Sequence, residues 1–389
     1  MSERTLETIS SLHDVGEEAW NAIAGTSKAA GASYNPFLSF AFLSALEDSG
    51  SATDETGWIS SHLIVRGEHG TIDAAMPAYL KWHSQGEYVF DHAWADAFER
   101  AGGSYYPKLQ SSIPFTPASA PKLLVRRGGD DSALRALLAR GTQAVVEKLQ
   151  LSSAHVTFVS EGEASVLEDH GFLRRNDQQF HWYNDGYANF EQFEEALASR
   201  KRKQIRKERR EALTNDITIE WISGSDLKEH HWDAFFTFYQ DTGARKWGQP
   251  YLTRSFFSLI SERMADDIVL IMAKRAGNYI AGALNFKGSD ALYGRNWGCT
   301  EHHPFLHFEV CYYQAIDYAI ENGLNRVEAG AQGAHKLARG YVPAITTSMH
   351  YIPHQGFREA VEDYLAHERE QVVFEADYLE QRSPFRKGG

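Results

Sequence analysis

The sequence predicts an α/β (α+β) protein built as two similar units in tandem. Three observations carry that prediction. At 389 residues the chain is longer than one ordinary core serves. Its apolar content of 43% and charged content of 23% are those of a globular protein with packed interiors. An order of strand, turn, strand, aromatic-rich strand, long helix and short strand occurs twice.

In the first copy, Trp20 to Ala24 closes a short helical segment and Asn35-Pro36 opens a second helix, with Phe37, Phe40, Ala41, Ser44 and Ala45 at helical spacing. His62 to Arg66 reads as a strand, Gly67 to Gly70 as a turn, and Thr71 to Leu80 as the hairpin partner. The aromatic, acidic stretch around Tyr88, Phe90 and Asp91 to Phe98 follows. Pro107, Pro114, Pro117 and Pro121 mark a long irregular region. Ser132 to Leu149 is an amphipathic helix, His155 to Val159 an apolar strand, and Glu161 to His170 a helix ended by Gly171. In the second copy, Trp221 lies on a strand, and Trp232 to Gln240 and Arg254 to Met264 are helical. Ile268 to Lys274, a turn at Ala276-Gly277-Asn278, Tyr279 to Phe286 and Ala291 to Trp297 give three strands. His307 to Glu321 is the long helix, Asn322-Gly323 its end, and Arg326 to Glu328 the short strand. The expected division is 1–185 and 186–389.

The bulk numbers exclude several function classes. No run reaches the ~18 apolar residues that span a bilayer, and the first sixteen residues hold no signal-like apolar core. The chain is expected to be cytoplasmic, without a transmembrane segment. Its two cysteines, Cys299 and Cys311, fit a reducing compartment, and no Cys/His spacing matches a zinc site. No metal and no tightly bound cofactor are expected. A net charge of −13 argues against a DNA-coating protein. Basic charge is nevertheless concentrated in a helix over 199–213, where Arg202 and Arg206 suit a phosphate and a solvated face is the alternative.

The segment Gly330 to Tyr341 holds the most unusual chemistry. Gly330 and Gly333 allow close backbone approach, while Gln332, His335, Lys336 and Arg339 follow within one turn-and-helix unit. Basic side chains after such a loop suit a phosphate or carboxylate. An exposed basic turn is the alternative.

This order of elements resembles the GNAT acyltransferase fold, and two copies resemble the Fem-type aminoacyl transferases. More closely, the chain resembles the FemAB-like predicted N-acyltransferases labelled as peptidoglycan biosynthesis or recognition proteins. The residues carrying the match are Asn35 to Leu38, Gly57-Trp58, Tyr88 to Asp96, Tyr105 to Gln110 and Pro114 to Pro117. Ser199 to Arg209, Gly294 to Cys299, Leu306 to Gln314 and Gly330 to Tyr341 complete the set. Two features depart from the pattern. No long coiled-coil arm interrupts the second copy. The Gln/Arg-x-x-Gly-x-Gly/Ala loop is also absent, the chain reading His302-His303-Pro304-Phe305-Leu306 there.

The resemblance implies acyl or aminoacyl transfer from a CoA thioester or an aminoacyl-tRNA to an amine acceptor. That makes tRNA a candidate partner. The alternative is a peptidoglycan or nucleotide-sugar recognition protein that has kept the fold without catalysis. Transfer needs a base, a group that protonates the leaving atom and a stabiliser for the oxyanion. Glu309 and His307 are candidate bases and His335 a candidate acid. Gln332, Gly333, Lys336, Arg339, Arg295, Arg202 and Arg206 are candidates for the donor or its phosphates. Asp91, His92, Asp96, Tyr105, Lys108 and Trp297 are candidates for the acceptor side.

Overall fold

The computed structural model describes residues 4–26, 34–126, 131–246, 250–331 and 333–386. The chain begins with β1 (Thr5–Ile9), α1 (Glu17–Ala24), α2 (Phe40–Asp48), β2 (Trp58–Ser60), β3 (His62–Arg66), β4 (Ile72–Met76) and β5 (Tyr79–Lys81). It continues with α3 (His92–Arg100), β6 (Lys108–Ser111), β7 (Leu124–Val125), α4 (Asp131–Lys148), β8 (Ala154–Val159), α5 (Glu161–Asp169) and β9 (Leu173–Tyr183). Next come α6 (Phe190–Ala196), α7 (Ser199–Ala212), β10 (Ile217–Ile222), α8 (Glu229–Lys246), α9 (Arg254–Met264), β11 (Ile268–Arg275), β12 (Asn278–Lys287) and β13 (Ala291–Cys299). The last are α10 (Leu306–Phe308), α11 (Gln314–Glu321), β14 (Arg326–Ala331), β15 (Val342–Tyr351) and α12 (Gln355–Glu380). A π-helical turn, Glu309–Tyr313, joins α10 to α11.

Two compact units result. One contains the residues up to Asp177 with Ile345–Phe374, the other Gln178–Ala344 with the residues from Glu375 onward. The expected break at 185/186 left the whole C-terminal segment in the second unit. Instead residues 345–374 return to the first, because β15 pairs with β8 and the start of α12 buries Phe357, Val361 and Leu365.

In the first unit β1, β3, β4 and β7 form an antiparallel sheet. The strands β2, β5, β6 and β8 form a second run, antiparallel except for β6 beside β8. Helix α4 lays Leu134, Leu138 and Val146 on Val65, Met76 and Val156. Helix α5 begins at a full capping box, Ser160 and Glu163 satisfying each other's backbone N–H. Two sequence expectations fail here for identifiable reasons. The stretch Thr71 to Leu80 is not one strand: Pro77 offers no donor, and the chain breaks into β4 and β5 on different sheets. The acidic, aromatic stretch 92–100 is α3, and the third strand is β6 inside the proline-rich region. Pro107 is tolerated because it only precedes the strand.

In the second unit β10, β11, β12 and β13 run antiparallel, β13 lies parallel to β14, and β14 pairs antiparallel with β9. The core joins Trp182, Ile271, Leu292 and Val327 to Val310, Ile316 and Ala319 from the helical segment after β13. Gly298 is where β13 meets α8: a Cβ there would lie 2.1 Å from the carbonyl oxygen of Phe238.

The duplication extends to single residues. In the first unit Leu109–Ser111 runs parallel to Ala154–Val156, and in the second Ala291–Tyr293 runs parallel to Arg326–Glu328. Two residues beyond each paired stretch the backbone turns left-handed, at Phe158 (φ 55°) and Gly330 (φ 75°). Each kink is held by a buried lysine. Lys122 Nζ donates to the carbonyls of Ala120 (2.8 Å) and Phe158 (3.4 Å). Lys336 Nζ donates to those of Ala329 (2.7 Å) and Gly330 (2.9 Å).

Candidate functional site

The pairing of β13 with β14 ends at Tyr293 and Glu328, two residues before the kink at Gly330, and this end of the strand pair is its mouth. Period-two alternation decides what faces it. On β9 and β14, Trp182 and Val327 point into the core, while His181 is paired with Glu328 and Tyr183 with Arg326 on the other face. Tyr293 lies beside Glu328 on β13, and Arg295 follows two residues on.

Glu328 is the chemical centre of this face. It is 4% exposed. One carboxylate oxygen, Oε1, accepts from Arg326 Nε at 2.9 Å. The other, Oε2, has no hydrogen-bond partner among the described residues and sits 3.9 Å from His181 Nε2. Burial raises the carboxyl's pKa, and Arg326 only partly opposes it. Burial, with Arg326 and Lys336 nearby, pushes His181 down to about 4, so its imidazole is neutral near pH 7. Tyr183 OH, at the exposed end, lies 3.4 Å from His181 Nδ1. A buried, unpartnered carboxylate oxygen beside a neutral imidazole can receive a proton. These residues escaped the sequence reading. The signal was present as the alternation Gln179, His181, Tyr183 against Phe180 and Trp182, and as Arg326 and Glu328 flanking Val327.

A second cluster stands where β13 leads into α10. His307 and His335 come together, ring centres 6.4 Å apart, with Trp297 5.1 Å from His307. Tyr312 OH meets His335 Nε2 at 3.0 Å. Trp297 and His307 also line a cavity of about 260 Å³ with Thr242, Cys299, Leu306 and His302. At its rim Glu301 is tied to Arg275 (2.7 Å) and His303 (2.9 Å), which hold its carboxyl near 2. Gly333 has φ 115°, and a Cβ there would meet the His335 ring at 2.6 Å. Gln332 lies outside the described residues.

Other expected residues are placed differently. Glu309 is fully buried, accepting from Arg209 (3.0 and 3.2 Å) and Gln314 (2.8 Å). Burial raises its pKa against the pull of Arg209, but both oxygens are occupied. Arg339 is buried with its guanidinium on Glu208 (2.9 and 3.0 Å) and stacked 3.4 Å above Phe308. Lys336, 3% exposed and pushed down to about 8 by burial, holds the β14 carbonyls described above. Both therefore shape the site from beneath. Arg206 is paired with Glu194 at 2.7 Å, and Arg202 is half-buried on the same helix. No contact among the described residues brings either to the histidines.

The first unit has its own buried ionic group. Lys108 Nζ donates to Asp91 (2.5 Å), Glu87 (2.7 Å) and Ser84 (2.8 Å), and Tyr105 OH donates to Asp91 at 2.6 Å. His155 and His350 face each other at 2.7 Å. Burial would raise Asp91, but Lys108 and His155 outweigh it and hold the carboxyl below the usual range. For Glu87 burial wins, lifting it to about 7. Burial also drops Lys81, stacked on Trp58, to about 6. Asp91, Tyr105 and Lys108 are thus brought together, whereas His92 and Asp96 point to solvent from α3. Trp297 belongs to the second unit. No group of three metal-ligating side chains exists among the described residues, and no helix among them is long and apolar enough to cross a membrane.

Known proteins bear on this arrangement at the level of fold. The structure of FemX aligns with a TM-score of 0.54 at 14% identity, covering 92% of this chain and 100% of FemX. A conserved protein of unknown function from Bacteroides thetaiotaomicron aligns at 0.52 with 11% identity, covering 90% and 99% of the two chains. A tandem GNAT protein from the clavulanic acid biosynthesis pathway aligns at 0.47 with 12% identity, covering 90% and 98%. No curated protein sequence matches the chain. Residues 11–387 match the FemAB-like family, described as peptidoglycan biosynthesis and recognition, and the chain belongs to that family.

Proposed function

We propose that the second unit catalyses N-acyl transfer, with the acceptor amine at the mouth beside Tyr183 and His181 and the acyl donor toward Trp297 and His307. The observation that carries this reading is the unpartnered, buried oxygen of Glu328 beside a neutral imidazole. A carboxyl with a raised pKa is a better proton acceptor than one in water. The amine nitrogen bonds to the acyl carbon. The bond from that carbon to the donor's sulfur or ribose oxygen breaks. The amine's proton passes through His181 to Glu328, and the leaving atom takes a proton from the Tyr312–His335 pair. Lys336 keeps β14 kinked so that the mouth stays open, and Arg339 fixes Phe308 and the backbone of His335.

The donor is an acyl-CoA or an aminoacyl-tRNA, and the acceptor an amine of a peptidoglycan precursor. The test is intact-mass detection of acylated product when the protein meets acetyl-CoA, longer acyl-CoAs or a charged tRNA pool with amine-bearing muropeptides. The expected result is a mass gain of one acyl group with one donor class. Muropeptide binding without product from any donor would replace this reading with a recognition protein.

A further inference from the structure

The basic helix α7 is not absorbed by the site. Its inner face is: Ile205, Glu208 and Ala212 are buried, and Arg209 reaches Glu309 and Asp317. Among the outer cations Arg206 is paired with Glu194, and Lys207 with Glu211 at 3.6 Å. Arg200, Lys201, Arg202, Lys203 and Arg210 have no carboxylate partner among the described residues. Arg200, Lys203, Lys207 and Arg210 recur at i, i+3, i+7 and i+10, a single outward stripe.

A second basic element is fastened beside the start of this helix. Ala198 N–H donates to Pro384 O and Arg386 N–H to Ala196 O, both at 2.9 Å, with a bridge between Leu197 and Phe385. This seats exposed Arg382 and Arg386 next to Ser199 and Arg200. Arg382 lies 4.0 Å over the ring of Tyr378, itself 45% exposed. Leu213, just past the helix, is 42% exposed. Five cations without carboxylate partners among the described residues thus stand along α7, and two more on the arm beside its start, in a chain whose net charge is −13.

We propose that this surface, α7 with the arm 382–386, docks on an anionic lipid bilayer. The fit is one of charge and of amphipathic character together. Anionic headgroups attract the cations, and the headgroup layer takes the exposed Tyr378 ring under Arg382. A nucleic-acid backbone would answer the cations alone. Ile205 is fully buried, so α7 lies on the bilayer through its charges without inserting. This inference is independent of the proposed transfer.

The test is flotation of the full chain with phosphatidylcholine vesicles, alone or with phosphatidylglycerol, across salt concentrations. The expected result is binding only to the phosphatidylglycerol vesicles, falling as salt rises. The R200E/K203E/R210E variant is expected to bind at least about 100-fold more weakly, at about fivefold per removed cation. Those side chains touch no carboxylate, and an unchanged thermal melt checks the fold. A second variant, R382E/R386E, reports on the arm separately. Equal binding to both vesicle types, or full binding by the triple variant, overturns the proposal. So does tight binding of poly(U) RNA in the absence of vesicle binding, which would make this a nucleic-acid surface.

Discussion

At the residue scale, a buried ionisable group has a readable consequence for the pH dependence of folding. Lys81 loses its proton at about 6 in the folded protein, whereas an unfolded lysine keeps it to about 10.5. Between these values the unfolded chain holds more protons, so raising pH stabilises the native state. Relative to Lys81→Met, which keeps the contact with Trp58, the wild type is expected to gain urea resistance steadily from pH 6 to pH 9. A difference between the two proteins that does not change with pH would mean that Lys81 stays charged when folded. Individual residues were also where the sequence was least legible. His307 and His335 could be named, and they do meet. Glu309 could be named too, but nothing local reveals that Arg209, 100 positions away, fills its carboxylate. Glu328 was hidden because one carboxylate in a three-residue strand reads as a surface residue until β9 is laid against it.

At the element scale, the strands and the long helices were legible from their apolar periods. The failures fall at prolines and at short strands. Pro77 splits a run that alternates well, and the four residues of β6 are too few to show a period among prolines. The two kinked strands were not legible, because a left-handed phenylalanine carries no local signal whereas Gly330 does. Two glycines of the second unit should separate conformation from space. A Cβ at Gly330 meets nothing within 4 Å, so Gly330→Ala carries only the left-handed backbone penalty of about 1–2 kcal/mol. Gly298→Ala instead forces β13 away from α8 and is expected to lower the thermal midpoint several times as much. Equal midpoints for the two variants would contradict the close approach at Phe238.

At the scale of the whole molecule, the duplicated plan was legible as order, and the return of 345–374 to the first unit was not. That return depends on β15 pairing with β8, a contact between residues roughly 190 positions apart. Family membership agrees with the resemblance carried by the Gly330 segment, Gly294 to Cys299 and Leu306 to Gln314. The two units have diverged in chemistry. The first gathers Asp91 and Glu87 around the buried ammonium of Lys108, whereas the second sets Glu328 beside Arg326 and the neutral imidazole of His181. The measurement that tests this most directly compares product formation by wild type, Glu328→Gln and Glu309→Gln, using intact mass and matched thermal melts. Glu328→Gln is expected to keep its fold and lose about 100-fold or more in rate, the range of a general base. Glu309→Gln is expected to lose mainly stability, because it leaves Arg209 half-paired. Wild-type rates from Glu328→Gln, with the loss falling on Glu309→Gln at unchanged stability, would contradict it.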